Sequence, residues 1–112
     1  MKDFIALNVP RLLARYSNPS SDWRPTVLAL ARTQIDVMKA NEMISPNAAA
    51  LSEPVENAVL MFSDLTPLGQ EFLMTGETDR WLAACDRAGN LAAYEDHRRL
   101  EKRVRRFLDA RK

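Results

Sequence analysis

Residues 23–41 read WRPTVLALARTQIDVMKAN, and this stretch decides the fold. At roughly 100° per residue, Val27, Leu28, Leu30, Ala31, Ile35, Val37 and Met38, with Gln34 among them, cover about half of a helical wheel. Arg32, Asp36 and Lys39 make up the polar strip that is left. A helix apolar over half its circumference belongs inside a core, so this segment is predicted as the central helix.

Working outward, the spacing predicts a first helix near 9–16, a loop Ser17–Ser21, and a helical region over 46–63 broken around Ser52 to Pro54. A short helix follows at 67–75, another at 78–88 and a final one at 91–110. Prolines placed just after capping residues mark helix starts: Ser45 before Pro46, Thr66 before Pro67, and Ser52 two ahead of Pro54. Gly76 and Gly89 fall where helices should end. Valine and isoleucine are sparse, and no stretch sustains a period of two between turn residues, so no strand is predicted. The expectation is an all-α fold, a compact single-domain bundle of five or six helices over residues 1–112.

Composition agrees with that class. An apolar content of 46% with 28% charge is that of an ordinary globular protein. A chain of 112 residues can bury roughly two-thirds of its unfolded surface in one core without a disulfide or a structural metal. Cys85 is the only cysteine, so no intramolecular disulfide and no thiolate cluster can form, which points to a reducing compartment. The start of the chain has one lysine and a short apolar run, Phe4 to Leu7, behind Asp3, without the architecture of a signal peptide. No apolar run approaches the ~20 residues that cross a bilayer. The expected location is the cytoplasm, with no membrane partner.

Charge is the least generic property. Residues 98–112 carry eight basic and two acidic side chains, residues 42–97 two basic and ten acidic. The net charge of +1 therefore hides a strong dipole along the sequence. In the final helix Leu100, Val104, Phe107 and Leu108 form a narrow apolar stripe. Arg98, Arg99, Lys102, Arg103, Arg105 and Arg106 spread over the far side. That face has two readings: a solvated surface paired in part with the protein's own acids, or a phosphate-binding surface whose affinity falls steeply with salt. Only Asn90 offers an amide of the kind that reads adenine, and no aromatic residue is interleaved to stack bases.

The acidic middle supplies a complementary candidate, with Glu71, Glu77, Asp79 and Asp86 docking a basic protein and Trp81 as anchor if exposed. Trp81 also shares a helical face with Ala84, Cys85 and Ala88, and the preferred reading of that face is core. His97 is the only histidine; with Tyr94 and Glu101 a turn to either side it makes a local cluster too poor in ligands for a metal. Cys85 reads as an inert buried thiol. No phosphate loop, nucleophile elbow, zinc or calcium motif is present. These observations lead to no catalytic residue, no metal and no cofactor. The functional expectation is a non-enzymatic interaction protein of inhibitor, immunity or adaptor type with a protein partner. The alternative is a nucleic-acid-associated accessory protein using the basic helix, and charge segregation also allows a homodimer.

Overall fold

A computed structural model of the chain describes residues 3–15 and 23–111. It contains six helices and one small sheet: β1 (Ile5–Asn8), α1 (Val9–Arg15), α2 (Trp23–Ala40), β2 (Val59–Met61), α3 (Pro67–Met74), α4 (Glu77–Ala88), α5 (Leu91–Glu95) and α6 (His97–Ala110). The expected loop Ser17–Ser21 lies outside the described residues, as does the end of the first predicted helix.

Helix α2 is the hub that its apolar face requires. Val27, Ala31, Val37 and Met38 are at most 1% exposed, and α1, α5 and α6 pack around them. The Thr33 hydroxyl donates to the Tyr94 carbonyl at 2.6 Å, tying α2 to α5 where no water can substitute. Met43, Leu60, Phe72, Trp81 and Leu100 complete a single cluster, with Phe72 meeting Phe107 edge to face at 5.2 Å between ring centres.

The helix starts and stops with the clearest chemistry stand where the sequence puts them. The Thr66 hydroxyl accepts from Gly69 N–H at 3.2 Å and caps α3, whose first residue is Pro67. Gly76 and Gly89 have φ of +80° and +69° at the two ends of α4. Gly69 has a different reason to be glycine: a Cβ there would lie 1.9 Å from the Met43 carbonyl oxygen. That close approach seats α3 on the chain leaving α2.

Two expectations need correction. No α-helix occupies 46–63; the segment forms short 3₁₀ turns (Ala49–Leu51, Val55–Asn57, Phe62–Asp64) around β2. Pro46 and Pro54 remove donors that a helix would need, and the serines satisfy turns instead. Ser45 Oγ accepts from Asn47 N–H at 3.4 Å, and Ser52 Oγ donates to the Ala49 carbonyl at 3.0 Å. β2 pairs antiparallel with β1, matching Leu7 to Leu60 and Asn8 to Val59, with a register shift between Ile5 and Leu7. Asp3 extends the pairing by accepting from both the Ser63 N–H (3.0 Å) and hydroxyl (2.6 Å), and the hydroxyl bond holds its carboxyl below the usual range.

The second correction is that residues 91–110 are two helices. Asp96 breaks the run with ψ of 94° and caps α6 by accepting from Arg98 N–H at 3.1 Å.

Candidate interaction face

The apolar stripe of α6 performs as its spacing requires: Leu100, Val104 and Phe107 are buried and Leu108 is partly so. Docking that stripe fixes which basic side chains turn inward. Arg103 is one of them, 23% exposed, donating to Glu77 Oε2 at 3.1 Å; the other Glu77 oxygen lies 2.7 Å from Arg80. Burial works against the Glu77 charge, but the hydrogen bonds from Arg103 and Arg80 prevail and hold the carboxyl below its usual range. Farther along, Arg111 lies 3.0 Å from Glu71 and 5.7 Å over the Phe107 ring.

Of the acidic docking surface expected from the sequence, the structure corrects one part, the exposed anchor. Glu77 is paired with Arg103 of α6 and Glu71, still exposed, with Arg111 just past the end of α6, while Trp81, 1% exposed, is core. Cys85, one turn on, is also fully buried and donates to the Ala93 carbonyl at 3.5 Å; burial pushes its thiol up, away from reactive thiolate. Asp79 and Asp86 remain exposed on α4, and Asp86 accepts the Tyr94 hydroxyl. Burial, then that bond to Asp86, raise the Tyr94 phenol above its ordinary range.

The cluster expected around His97 is also rearranged, because the break at Asp96 puts Tyr94 and His97 on different helices. His97 bonds to the Glu95 carbonyl at 3.0 Å through Nδ1 and to Asp36 at 3.2 Å through Nε2, while Asn41 lies 3.5 Å from Glu101. The Glu95 carbonyl first, then Asp36, raise the His97 pKa in spite of partial burial. Asn90 is committed locally too: its side-chain oxygen accepts from Ala93 N–H at 2.9 Å as the cap of α5, so its amide does not stand ready for a base. Among the described residues no group of three or more histidine, cysteine, aspartate or glutamate side chains could hold a metal ion.

What is left is the outward side of α6. Arg98, Lys102, Arg105 and Arg106, bordered by Glu101 and Asp109, line one shallow surface. Arg98 is 94% exposed and reaches Asp96 only at 3.5 Å, with Arg99 at 3.8 Å from the same carboxylate. Lys102, Arg105 and Arg106 enter no salt bridge among the described residues.

No family model, no curated protein and no solved structure matches the chain.

The face must accordingly be judged on its own geometry. Four cations stand on one side of a helix whose other side is packed, so they are presented rather than mobile about the helix axis. Among the described residues no helix is long and apolar enough to cross a membrane. The division of α6 into Arg103 inside and Lys102 outside was not visible in the sequence. It follows from how the apolar stripe seats α6 against α2 and α4.

Proposed function

We propose that this protein is a non-catalytic interaction module, of inhibitor, immunity or adaptor type, that docks an acidic protein surface through the outward face of α6. The observation that carries the reading is that Lys102, Arg105 and Arg106 share one face of a packed helix and enter no ion pair among the described residues. At ~1.5 Å rise per residue, Arg98, Lys102 and Arg106 stand about 6 Å apart along the axis. Such a preformed row loses little conformational freedom on binding and raises the association rate with an oppositely charged surface.

Glu101 and Asp109 favour a protein over a continuous phosphate backbone, since two carboxylates beside the row would repel phosphates but can match a surface of mixed sign. Nucleic acid is the second reading, favoured by the four cations on one side. It lacks the amide, because Asn90 is a cap, and it lacks interleaved aromatics. Homodimerisation has less support, because Glu71 and Glu77 are satisfied by Arg111 and Arg103 of the same chain.

The test uses two charge-reversed pairs in affinity isolation from cells of the source organism. The reading expects the partner to be lost with Lys102→Glu plus Arg106→Glu and kept with Asp79→Lys plus Asp86→Lys. The opposite pattern would overturn it. Anisotropy of labelled duplex DNA and RNA at about 50 and 200 mM salt decides the second reading. Binding that collapses over that range, as several phosphate contacts require, would bring it to the front.

A further inference from the structure

The residues that line the outward face of α6 are all charged: Arg98, Glu101, Lys102, Arg105, Arg106 and Asp109. Exposed charge pairs speed encounter and set orientation, but each adds little affinity, and interfaces take most of theirs from an apolar side chain seated in a pocket. A partner held at the α6 row therefore needs such a pocket close by.

One lies at the start of the same helix. His97, the first residue of α6 and next in the chain to Arg98, lines a groove of about 430 Å³ between α2 and α5. Ala29 and Thr33 are buried beneath it, and Arg24, Leu28 and Arg32, at i, i+4 spacing along α2, form one edge. Leu91, the first residue of α5, belongs to the other wall and is 40% exposed. The volume falls within the roughly 300–1,000 Å³ of small-molecule pockets, so one large side chain fits.

Charge joins the two surfaces. Arg24 and Arg32 are exposed, stand about 12 Å apart along the axis with Leu28 midway, and enter no ion pair among the described residues. Of the two carboxylates in the lining, Asp36 lies 3.2 Å from His97, which leaves Glu95 against two arginines. The groove thus continues the cationic row of Arg98, Lys102 and Arg106 and adds the apolar walls that the row lacks.

We propose that the partner docked by α6 is an acidic polypeptide segment that seats one large apolar side chain between Leu28 and Leu91, with the carboxylates flanking that side chain on Arg24 and Arg32. The proposal rests on the α6 reading above and names what that partner must carry. An acidic segment without an apolar anchor would leave Leu91 in water. Glu95 on this rim, like Glu101 and Asp109 on the row, opposes a continuous phosphate backbone but can stand between spaced carboxylates.

The probes are a fluorescein-labelled peptide of alternating glutamate and serine whose central serine is replaced by phenylalanine, and the same peptide with alanine there. Both are titrated with the full chain and followed by anisotropy at about 50 mM salt. The phenylalanine form should bind about tenfold more tightly, and it alone should shift the Leu28, Ala29 and Leu91 amide signals of the ¹⁵N-labelled chain. Leu91→Ser, at an exposed position, should bring the two peptides to equal affinity while leaving the alanine form as it was. Arg24→Gln with Arg32→Gln should weaken the phenylalanine form roughly fivefold, and Lys102→Glu with Arg106→Glu should weaken both peptides. Equal binding of the two peptides by the wild-type chain, both lost on the α6 reversal, would overturn the anchor and leave the α6 reading standing. So would a preference for phenylalanine that survives Leu91→Ser, or undiminished binding of that form by the Arg24, Arg32 variant. Binding of neither peptide, with or without binding of labelled duplex DNA, would overturn the α6 reading and the proposal together.

Discussion

The Arg103 guanidinium donates to the Glu77 carboxylate at 3.1 Å, and this bond joins the basic helix α6 to the first turn of α4. Glu77, 15% exposed, also sits 2.7 Å from Arg80. Glu77→Gln should therefore lower stability by about 1–2 kcal/mol at pH 7, the range for a charge-assisted hydrogen bond in a partly buried place. Because the folded-state pKa of Glu77 is lowered, its contribution is complete above the unfolded value near 4.5 and fades as pH falls through the folded one. Urea unfolding at pH 7 and pH 3 should show the difference between wild type and variant shrinking in acid.

Gly69→Ala should be among the most damaging single-methyl additions in the chain. The new Cβ would fall 1.9 Å from the Met43 oxygen, a backbone atom that cannot rotate away. Met43 also accepts through that oxygen from Thr66 N–H at 3.1 Å, so relief of the clash breaks the cap region of α3. A loss of about 2 kcal/mol or more is expected from the midpoint of denaturant unfolding.

Glu42 is the converse case. It ends α2 with φ of +58°, and Met43 N–H returns to the Met38 carbonyl at 2.8 Å, the closing bond of a Schellman-type end. A left-handed conformation costs an L-residue roughly 1–2 kcal/mol, partly offset by the greater freedom of glycine in the unfolded chain. Glu42→Gly should thus stabilise the protein by about 0.5–1 kcal/mol, measurable as a higher Tm. A lower Tm would refute the assignment of strain to this residue.

His97 should titrate above its ordinary value of 6.5, with the Glu95 carbonyl as the main cause and Asp36 as the second. Asp36→Asn should bring the NMR-detected pKa down. The accompanying stabilisation is fully present below about pH 6.5 and is lost as pH rises through the raised value. Both side chains are well exposed, at 46% and 61%, so it should stay under ~1 kcal/mol.

The parts of this fold that the sequence made legible are those written in local chemistry. The α2 stripe, the Thr66–Pro67 start, the glycine ends of α4 and the α6 stripe each depend on residues within a few positions of one another. The β1–β2 pair was hidden because each strand is only three or four residues long and its partner lies some fifty residues away. The break at Asp96 was hidden because helix-forming residues stand on either side of it. The acidic and basic segments were plain in the sequence. Their mutual engagement was not, since Glu77 meets Arg103 only once α4 and α6 pack. That packing buries Trp81 and pairs Glu77 with Arg103, while Glu71 stays exposed beside Arg111, and it leaves the α6 row as the candidate site.

The most direct test places a photo-crosslinking residue at Arg105 on the outward face of α6 and, in a second protein, at Asp79 on α4, both at exposed positions. Irradiated in cells of the source organism, the first should yield a discrete protein adduct that disappears when Lys102→Glu and Arg106→Glu are added, and the second should yield none. A discrete adduct from position 79 with none from position 105, or an adduct at 105 indifferent to the two charge reversals, would contradict the assignment of α6 as the docking face.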